Sequence, residues 1–373
     1  MKHSVNTIGL VLLAGICCLV TGCAEERYRE TVAVVPVLDA EAITSGQPTD
    51  YDAVLASYQN VGDLHTITFN GSFDAMVEGQ HRQLLELYRV FPEGLERRTG
   101  CSMFRYGASP GGLVGRNFDN QYSELLVGYY YPPDGYASLG LVALMHLGYN
   151  EEKPFDPDDI SNRRSLFLGP ALTIEGLNEK GVTVTLASLD KREVWQDTER
   201  ESRYLIHLVR EILDHAANLD EAVAIAAKYN VFDNGLEVIS HHIFVADPEG
   251  SVVLEWRNGF MEVVRDPGDW QVVTNSPLVG VEDERRRKRC PRYDSLAGSM
   301  SRVTGAMDWR QGMDALTATA QRNRRYHLEG QDMLVSTQWS AVFDLQQMAA
   351  YVCLFGDYSK VYRLEFPPRP VAE

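Results

Sequence analysis

One cysteine in this sequence is well placed for covalent chemistry. Gly100-Cys101 is followed by an Arg-Asn-Phe-Asp cluster at 116–119, within the stretch "TGCSMFRYGASPGGLVGRNFDN". A cysteine thiolate is a strong nucleophile, and the fixed positive charge of Arg116 would favour that ionised form. On a strand, Arg116 and Asp119 point to opposite sides, so a bend between them is required if both serve Cys101. The alternative is that the two charges pair with each other.

Motifs for other kinds of catalysis are missing from the sequence. The glycines at 111, 112 and 115 are not followed by the Gly-Lys-Ser/Thr of a phosphate loop, and the sequence has no G-x-S-x-G elbow of a serine hydrolase. His241 and His242 are neighbours in a predicted strand, where they would point to opposite faces and could not share one metal. We therefore expect neither a metal nor a cofactor.

The composition indicates an ordinary globular protein. Its 373 residues are 45% hydrophobic and 23% charged, which allows a large buried core. The formal net charge of −17 argues against a nucleic-acid partner and gives no attraction to an anionic membrane. Small molecules or proteins are the expected partners.

The N terminus resembles an export signal. Lys2 precedes an apolar run over residues 8–20, which is shorter than the roughly 20 residues of a spanning helix. The run ends in "LVTGC", which resembles a bacterial lipobox that would be cut before Cys23 and lipidated on its thiol. A plain secretory signal is the alternative. We expect a signal peptide at 1–22, a tether without a core at 23–45, and an exported protein anchored by lipid to the periplasmic or cell-surface face of a bacterial membrane.

Three cysteines remain in the mature chain besides Cys23, namely Cys101, Cys290 and Cys353. No pair of them has the C-x-x-C spacing of a zinc site, and three thiols do not form a disulfide framework. Cys353 lies in the apolar run "MAAYVCLFG" and is predicted to be a buried hydrophobe. Cys290 follows "DERRRKR" and is equally consistent with a solvated loop.

The elements around Cys101 are predicted to be mostly strands. Before it, "LHTITFNGSF" alternates as a strand and "AMVEGQHRQLLELYRVF" has helical spacing. After it, short strands are interrupted by helical stretches at about 203–229 and 293–320, and Asn218 or Asp220 is the expected cap of a second helix in the first stretch. One α+β domain with antiparallel sheets fits this order better than alternating βαβ units.

Four segments, in order, resemble the N-terminal nucleophile cysteine hydrolases. They are Gly100-Cys101, "GRNFD" at 115–119, "EGLNEKGVTVT" from Glu175 and "VVTNSP" at 272–277. Within that superfamily the chain is similar to the acyl-coenzyme A:6-aminopenicillanate acyltransferase branch and to choloylglycine hydrolases, which include bile salt hydrolase and penicillin V acylase. The resemblance spans about residues 99–366 and implies a four-layer αββα sandwich of two antiparallel sheets.

The resemblance implies that the chain cuts itself between Gly100 and Cys101. In this class the nucleophile is the first residue of its chain, and its own α-amino group acts as the base. The thiol would attack the Gly100 carbonyl, and water would release the new N terminus. The pro-segment 46–100 would remain as a small subunit and 101–373 as the catalytic large subunit, forming a non-covalent αβ heterodimer.

Roles for the first four site residues follow from the resemblance. Arg116 would favour the thiolate, and Asp119 would hold the new ammonium group of Cys101. Asn275 resembles the family's oxyanion-hole asparagine, and a turn asparagine before Ser-Pro is the alternative for it.

Two positions depart from the family's pattern or are hard to place. Where bile salt hydrolase has an asparagine, this chain has Ala187 or Ser188, so the oxyanion donor there would be a backbone N–H, with Ser188 as the candidate. Arg292, in "PRYDSL", is the best match to the family's second active-site arginine, and "DERRRKR" and "QRNRR" offer alternatives.

We expect a cysteine amidohydrolase that cleaves linear carbon–nitrogen bonds of small N-acyl compounds through an acyl-thioester on Cys101. An acyltransferase that moves an acyl group from an amide or an acyl thioester to an amine is one alternative, and a surface lipoprotein that only binds ligands is another. Four tyrosines could wall an acyl pocket or simply cover the sheet: Tyr129, Tyr130, Tyr131 and Tyr136. The identity of the acyl compound stays open.

Overall fold

The computed structural model describes residues 28–32, 47–90, 100–108, 111–265, 268–280, 290–328 and 331–365. The strands are β1 (Arg29–Val32), β2 (Gln59–Val61), β3 (Leu64–Asn70), β4 (Gly100–Tyr106), β5 (Leu113–Asn120), β6 (Leu125–Tyr131), β7 (Ser138–Ala143), β8 (Glu175–Asn178), β9 (Thr183–Glu193), β10 (Glu201–Tyr204), β11 (Tyr229–Phe232), β12 (Val238–Ala246), β13 (Ser251–Arg257), β14 (Phe260–Arg265), β15 (Trp270–Thr274), β16 (Arg324–Leu328), β17 (Gln331–Asp344), β18 (Ala349–Leu354) and β19 (Lys360–Glu365). The α-helices are α1 (Tyr51–Ala56), α2 (Asp74–Val90), α3 (Ile160–Ser165), α4 (Leu205–His215), α5 (Leu219–Ala226), α6 (Pro291–Arg302) and α7 (Trp309–Thr317), with 3-10 helices at Leu144–Leu147 and Leu166–Leu172.

The strands form two large sheets. The first has eight strands in the order β1-β19-β18-β17-β5-β4-β15, with β16 beside β17, and the second has nine in the order β14-β13-β12-β9-β8-β7-β6-β3-β2. Most neighbours are antiparallel, as predicted, but β3 pairs with β6 and β1 pairs with β19 in parallel. A short third sheet joins β10 to β11.

The two sheets stack face to face, with helices outside them. One core cluster combines side chains of the first sheet, such as Met103 and Trp339, with side chains of the second, such as Leu125 and Leu139. The outer face of the first sheet packs on α6 and α7, and the outer face of the second packs on α2 and the second 3-10 helix. Because each sheet must bury both of its faces, this order yields the predicted four-layer αββα sandwich.

The antiparallel pair β4–β5 determines which way the candidate site residues point. Cys101 lies opposite Phe118, Met103 opposite Arg116, and Gly100 opposite Asp119. Directly opposed residues share a face of a sheet, and successive residues alternate. Cys101 and Arg116 therefore face the second sheet, whereas Asp119 faces the helix layer.

The predicted elements before Cys101 are confirmed and are integral to the fold. The predicted strand is β3, which lies between β2 and β6 inside the nine-stranded sheet, and the predicted helix is α2. Of the two predicted caps, Asn218 is the one used, because its side chain accepts from the Glu221 N–H at 3.0 Å.

Part of the predicted tether is wrong. Arg29–Val32 forms β1, the edge strand beside β19, and Tyr28 is buried against Trp309 with ring centroids 5.4 Å apart. The Tyr28 hydroxyl also donates to Asp314 at 2.6 Å. A strand that short was hidden in the sequence because its stability comes from an edge partner more than three hundred residues away. The predicted signal peptide and Cys23 lie outside the described residues, and within these no helix is long and apolar enough to cross a membrane.

Two buried histidines join α2 to α4 and make the fold sensitive to acid. The rings of His81 and His207 lie 5.4 Å apart, and His207 Nε2 is 3.2 Å from Gln80 Oε1. Burial, reinforced by His81 and Arg203, lowers the pKa of His207 to about 3, and burial also lowers the pKa of His81. Both histidines are therefore held neutral in the folded chain.

These folded-state pKa values lie below the unfolded value near 6.5. The free energy of unfolding therefore does not depend on these histidines above pH 6.5, and it falls as the solution becomes more acidic. Each histidine can remove up to about 1.4 kcal/mol per pH unit between its two pKa values. We expect His207→Gln to flatten the fall of the free energy of unfolding between pH 6.5 and 4, measured by urea titration. An unchanged slope in the variant would remove His207 as the cause.

Candidate active site

Cys101 is the second residue of β4, a strand buried along its whole length. Its side chain is 1% exposed, and it lines a cavity of about 620 Å³. Arg116 Nη2 lies 3.6 Å from the sulfur and also donates to the Leu186 carbonyl oxygen at 3.0 Å. The thiol is thus held between an open volume and a positive charge.

Arg116 is kept charged inside the sandwich by a buried carboxylate. Glu175 Oε1, at the start of β8, is 2.8 Å from Arg116 Nη1 and accepts a hydrogen bond from Trp339 Nε1 at 2.5 Å. Burial opposes the charge of the guanidinium, but Glu175 and the nearby thiol outweigh it and raise the pKa of Arg116. Burial raises the pKa of Glu175, and Arg116 counteracts this. Pairing of Arg116 with Asp119, the predicted alternative, is therefore wrong.

Asp119 reaches the Gly100–Cys101 bond from the other face of the sheet. Its Oδ1 accepts from the Thr337 hydroxyl at 2.6 Å, and its Oδ2 accepts from Gln321 Nε2 at 2.6 Å and lies 3.3 Å from Arg292 Nη1. Burial raises the pKa of Asp119, and Arg292 opposes the rise. No bend in β5 is needed, because Arg116 serves the thiol from one face while Asp119 lies beside Gly100 on the other.

Asn275 and Arg292 close around the backbone of Cys101. Asn275 follows β15, and its Oδ1 accepts from the Cys101 N–H at 2.6 Å and from Arg292 Nη2 at 2.8 Å. Arg292, in the first turn of α6, also donates from Nη1 to the Cys101 carbonyl oxygen at 2.5 Å and to the Ser102 hydroxyl at 3.1 Å. The structure thus brings both residues to Cys101.

Ser188 is linked to Cys101 through hydrogen bonds of Asn275. Asn275 Nδ2 donates to the Ser188 carbonyl oxygen at 2.9 Å, and Ser188 lines the cavity with Cys101. In this intact chain the amide oxygen of Asn275, and not its NH₂ group, points to Cys101. The oxyanion roles of Asn275 and of the Ser188 backbone stay predictions.

The other arginines that could match the family's second active-site arginine are not seen at Cys101 among the described residues. The segment "DERRRKR" lies outside the described residues, and the arginines of "QRNRR" are exposed.

The other two cysteines are both buried. Cys290 is the N-cap residue of α6, and Cys353 lies in the core as predicted, where burial raises the pKa of its thiol to about 12. Among the described residues, no group of histidine, cysteine and carboxylate side chains has the arrangement of a metal site.

Gly100 has no room for a side chain. A β-carbon built there would lie 2.0 Å from Gln321 Nε2 and 3.1 Å from Asp119 Cβ. We expect Gly100→Ala to displace the groups that hold Asp119, to destabilise the intact chain by about 1–3 kcal/mol and to slow any cleavage before Cys101. Thermal melting and intact mass over time measure these two effects.

Gly79→Ala is the matched control, because that glycine lies in α2 with only Arg82 Nη2 within 4 Å, at 3.9 Å. Alanine in a helix interior is favoured over glycine by about 0.5–1 kcal/mol, so this variant should be at least as stable as the parent. Equal behaviour of the two variants would contradict the steric argument.

The cavity walls come from elements that flank Cys101 on both sides in sequence. α2 contributes Leu84, Leu87 and Tyr88, and the elements after Cys101 contribute apolar residues and a polar end; the further lining residues are Gln80, Arg116, Phe118, Asn120, His146, Leu172, Ile174, Leu186, Ser188, Tyr204, Leu205, Ile206, Asp233, Asn234, Ser240 and His241. The tyrosines at 129–131 are instead fully buried in β6 and cover the sheet. The space beside the thiol suits an apolar acyl group with a polar end.

Several site residues had weak signals in the sequence. Glu175 follows the apolar run "LFLGPALTI", and a carboxylate in such a run indicates a buried partner. Gln321 and Thr337, which hold Asp119, lie more than two hundred residues beyond it. Only the folded sheet shows that they converge.

Comparison with known proteins supports the predicted family resemblance. Residues 166–283 match the family model described as "Linear amide C-N hydrolases, choloylglycine hydrolase family". The predicted family resemblance is confirmed. The matched segment contains Glu175, Ser188 and Asn275, and Cys101 lies upstream of it. A search of curated proteins found no match to this chain.

Several solved structures are similar to this chain. One variant of the conjugated bile acid hydrolase from Clostridium perfringens has a TM-score of 0.50 at 13% identity, covering 68% of this chain and 89% of that chain. A second variant gives 0.49 at 13% identity, over 69% and 89%. Penicillin V acylase from Agrobacterium tumefaciens gives 0.48 at 14% identity, over 68% and 82%. At 13% identity, the likeness at a TM-score of 0.50 is one of fold.

Proposed function

We propose that this protein is an autoprocessed cysteine amidohydrolase that cleaves linear amide bonds of small N-acyl compounds. One observation carries the proposal, which is the set of side chains around the Gly100–Cys101 bond. Arg116 lies at the thiol, Arg292 at the Cys101 carbonyl oxygen and Asn275 at the Cys101 N–H. A thiol beside a fixed positive charge, with its own backbone held by polar side chains, suits an N-terminal nucleophile.

Processing would begin with attack of the Cys101 sulfur on the Gly100 carbonyl carbon. The C–N bond to Cys101 breaks as the thioester forms, and the amide nitrogen takes up a proton to become the α-amino group. Water then hydrolyses the thioester and restores the thiol. The absence of a Gly100 side chain leaves the carbonyl carbon unshielded, and Asp119 beside it would accept a hydrogen bond from the new ammonium group.

Turnover would use the same groups on a substrate amide. The α-amino group, with a reference pKa of about 7.7–8.0, would take the thiol proton and pass it to the leaving amine as the acyl-thioester forms. Asn275 Nδ2, which donates to the Ser188 carbonyl oxygen at 2.9 Å in the intact chain, would donate to the developing oxyanion. Donors of this kind contribute on the order of 10² to 10³ in rate.

The chain before the cut would remain bound as a small subunit. β3 is an inner strand of the nine-stranded sheet, Arg203 pairs with Glu78 at 2.5 Å, and the Tyr88 hydroxyl donates to the Asp233 carbonyl oxygen at 2.9 Å. Because α2 also forms one wall of the cavity, the small subunit would help to bind the acyl group. The product is a non-covalent αβ heterodimer with its boundary at Gly100/Cys101.

We further propose that the mature chain is exported and attached to a bacterial membrane through a lipid on Cys23. The lipobox-like "LVTGC" supports this, as does the position of Arg29 in an edge strand only a few residues beyond it. Metabolic labelling with a fatty acid should mark the full-length protein and not its Cys23→Ala variant.

The test of the activity is a panel of N-acyl amides with acyl chains of different length, offered to purified residues 24–373. Release of free amine and an acyl adduct on the peptide that begins with Cys101 are the expected results. An added amine acceptor measures acyl transfer in competition with water. A folded, cleaved protein that releases no amine from any member would overturn the proposal.

A further inference from the structure

A second hydrogen-bonded relay lies in the same cavity as Cys101. The Ser188 hydroxyl is 3.2 Å from His241 Nε2, and His241 Nδ1 is 2.5 Å from Asp233 Oδ2. All three residues line the cavity. A serine hydroxyl, an imidazole and a carboxylate in this order are the arrangement that activates a serine nucleophile, which is recognised by geometry and not by sequence position.

The carboxylate at the end of the relay is rigidly held. Asp233 is 5% exposed on its side chain, and both of its oxygens accept from the Ser240 backbone N–H, at 2.8 and 3.0 Å. The Ser240 hydroxyl donates to Asp233 Oδ1 at 3.1 Å. With Asp233 accepting from Nδ1–H, the His241 Nε2 lone pair faces the Ser188 hydroxyl. The imidazole is thus held in the tautomer that can accept the serine proton.

The relay is separate from the groups around the cysteine. The thiol has Arg116 as its charged partner, whereas the serine has His241. The link between the two is Asn275, whose amide donates to the Ser188 carbonyl oxygen and accepts from the Cys101 N–H. Cys101 and Ser188 both line the same cavity.

We propose that Ser188, activated by His241 and Asp233, is a second nucleophile of this protein and that it cleaves carboxylic esters with an apolar acyl chain. The Ser188 oxygen bonds to the ester carbonyl carbon as its proton passes to His241 Nε2. The carbon–oxygen bond to the alcohol then breaks, and His241 returns the proton to the leaving alkoxide. Water attacks the resulting acyl-serine through the same base and restores the hydroxyl.

The test uses Cys101→Ala, in which the chain stays whole as in the structure and the thiol cannot react. An alkyl fluorophosphonate is the probe, and peptide mass spectrometry identifies the labelled residue. We expect one adduct, on Ser188, together with slow hydrolysis of p-nitrophenyl esters. Adding His241→Gln should slow labelling by on the order of 10² or more, and adding Ser188→Ala should abolish it.

Ser336→Ala, which removes a hydroxyl bonded to Asn323 outside the cavity, is the matched control and should label like the parent. Melting curves verify that every variant is folded. No adduct in the folded Cys101→Ala protein, an adduct that survives Ser188→Ala, or a labelling rate unaffected by His241→Gln would each overturn the proposal and leave the three residues as a structural hydrogen-bond chain. Because Cys101 is absent from the tested chain, this outcome is independent of the amidase activity.

Discussion

Replacing Cys101 with alanine is expected to leave the chain unbroken and to abolish amide hydrolysis. The parent, purified as residues 24–373, should separate into fragments 24–100 and 101–373, and the variant should give one mass. The reason is that the sulfur is both the group that would attack Gly100 and the group that would carry the acyl intermediate. Loss of such a nucleophile lowers activity by on the order of 10⁴ or more.

Cys353→Ala is the matched control for that experiment. Cys353 is as buried as Cys101 and burial raises its pKa to about 12, but it lies in β18 with no place in the cavity lining. The Cys353→Ala protein should be cleaved between Gly100 and Cys101 and should hydrolyse the substrate amide, even if its melting temperature falls. A cut that persists in Cys101→Ala would instead indicate an external protease.

A folded parent that remains whole would lead to a different conclusion. The α-amino group would then never form, and the mechanism would lose its base. The ligand-binding lipoprotein alternative would follow from that result. N-terminal sequencing of the large fragment adds the position of the cut, which must read Cys-Ser-Met-Phe.

Replacing Arg116 with methionine is the second change with a large expected effect, because it strands a buried carboxylate. Glu175 is fully buried, and Arg116 is its ion-pair partner at 2.8 Å. Removing one member of a buried ion pair typically costs about 3–5 kcal/mol. The same change removes the positive charge from the thiol, so cleavage before Cys101 should slow by on the order of 10² or more.

A double variant separates these two consequences. In Arg116→Met with Glu175→Gln no unpaired charge remains, and Trp339 Nε1 can still donate to the amide oxygen that replaces Glu175 Oε1. We expect the free energy of unfolding to return to within roughly 2 kcal/mol of the parent. Cleavage and amide hydrolysis should not return, because the sulfur still lacks its guanidinium.

Stability is best measured with Cys101→Ala in every chain, so that all variants are unbroken and differ only at the ion pair. Urea titration then gives the coupling between Arg116 and Glu175, and the cleavage rates come from the same substitutions with Cys101 present. Full recovery of cleavage in the double variant would show that Arg116 acts only through Glu175 and the fold, contrary to its proposed role at the thiol.

Local patterns in the sequence predicted several elements because their causes are local. β3 alternates polar and apolar residues over Thr66, Ile67, Thr68 and Phe69, α2 has helical spacing, and Asn218 precedes an acidic first turn. Each signal is visible within one window of the chain. The α+β class followed from the order of the predicted strands and helices, and the family resemblance followed from four short motifs in order along the chain. The prediction of a tether over Arg29–Val32 was wrong because the strand there forms against a partner strand at the far end of the chain.

The sequence by itself determined the residues brought to the site: Cys101 behind Gly100, Arg116, Asp119, Asn275 and Arg292. The tertiary structure decided their partners and their directions. Strand alternation sends Arg116 to Glu175 and Asp119 to the helix layer, and the stacking of the sheets places Ser188, His241 and Asp233 in the cavity of Cys101. Residue type is a property of one position, whereas a hydrogen bond needs two positions at about 3 Å, and only the packed sheets bring distant positions that close.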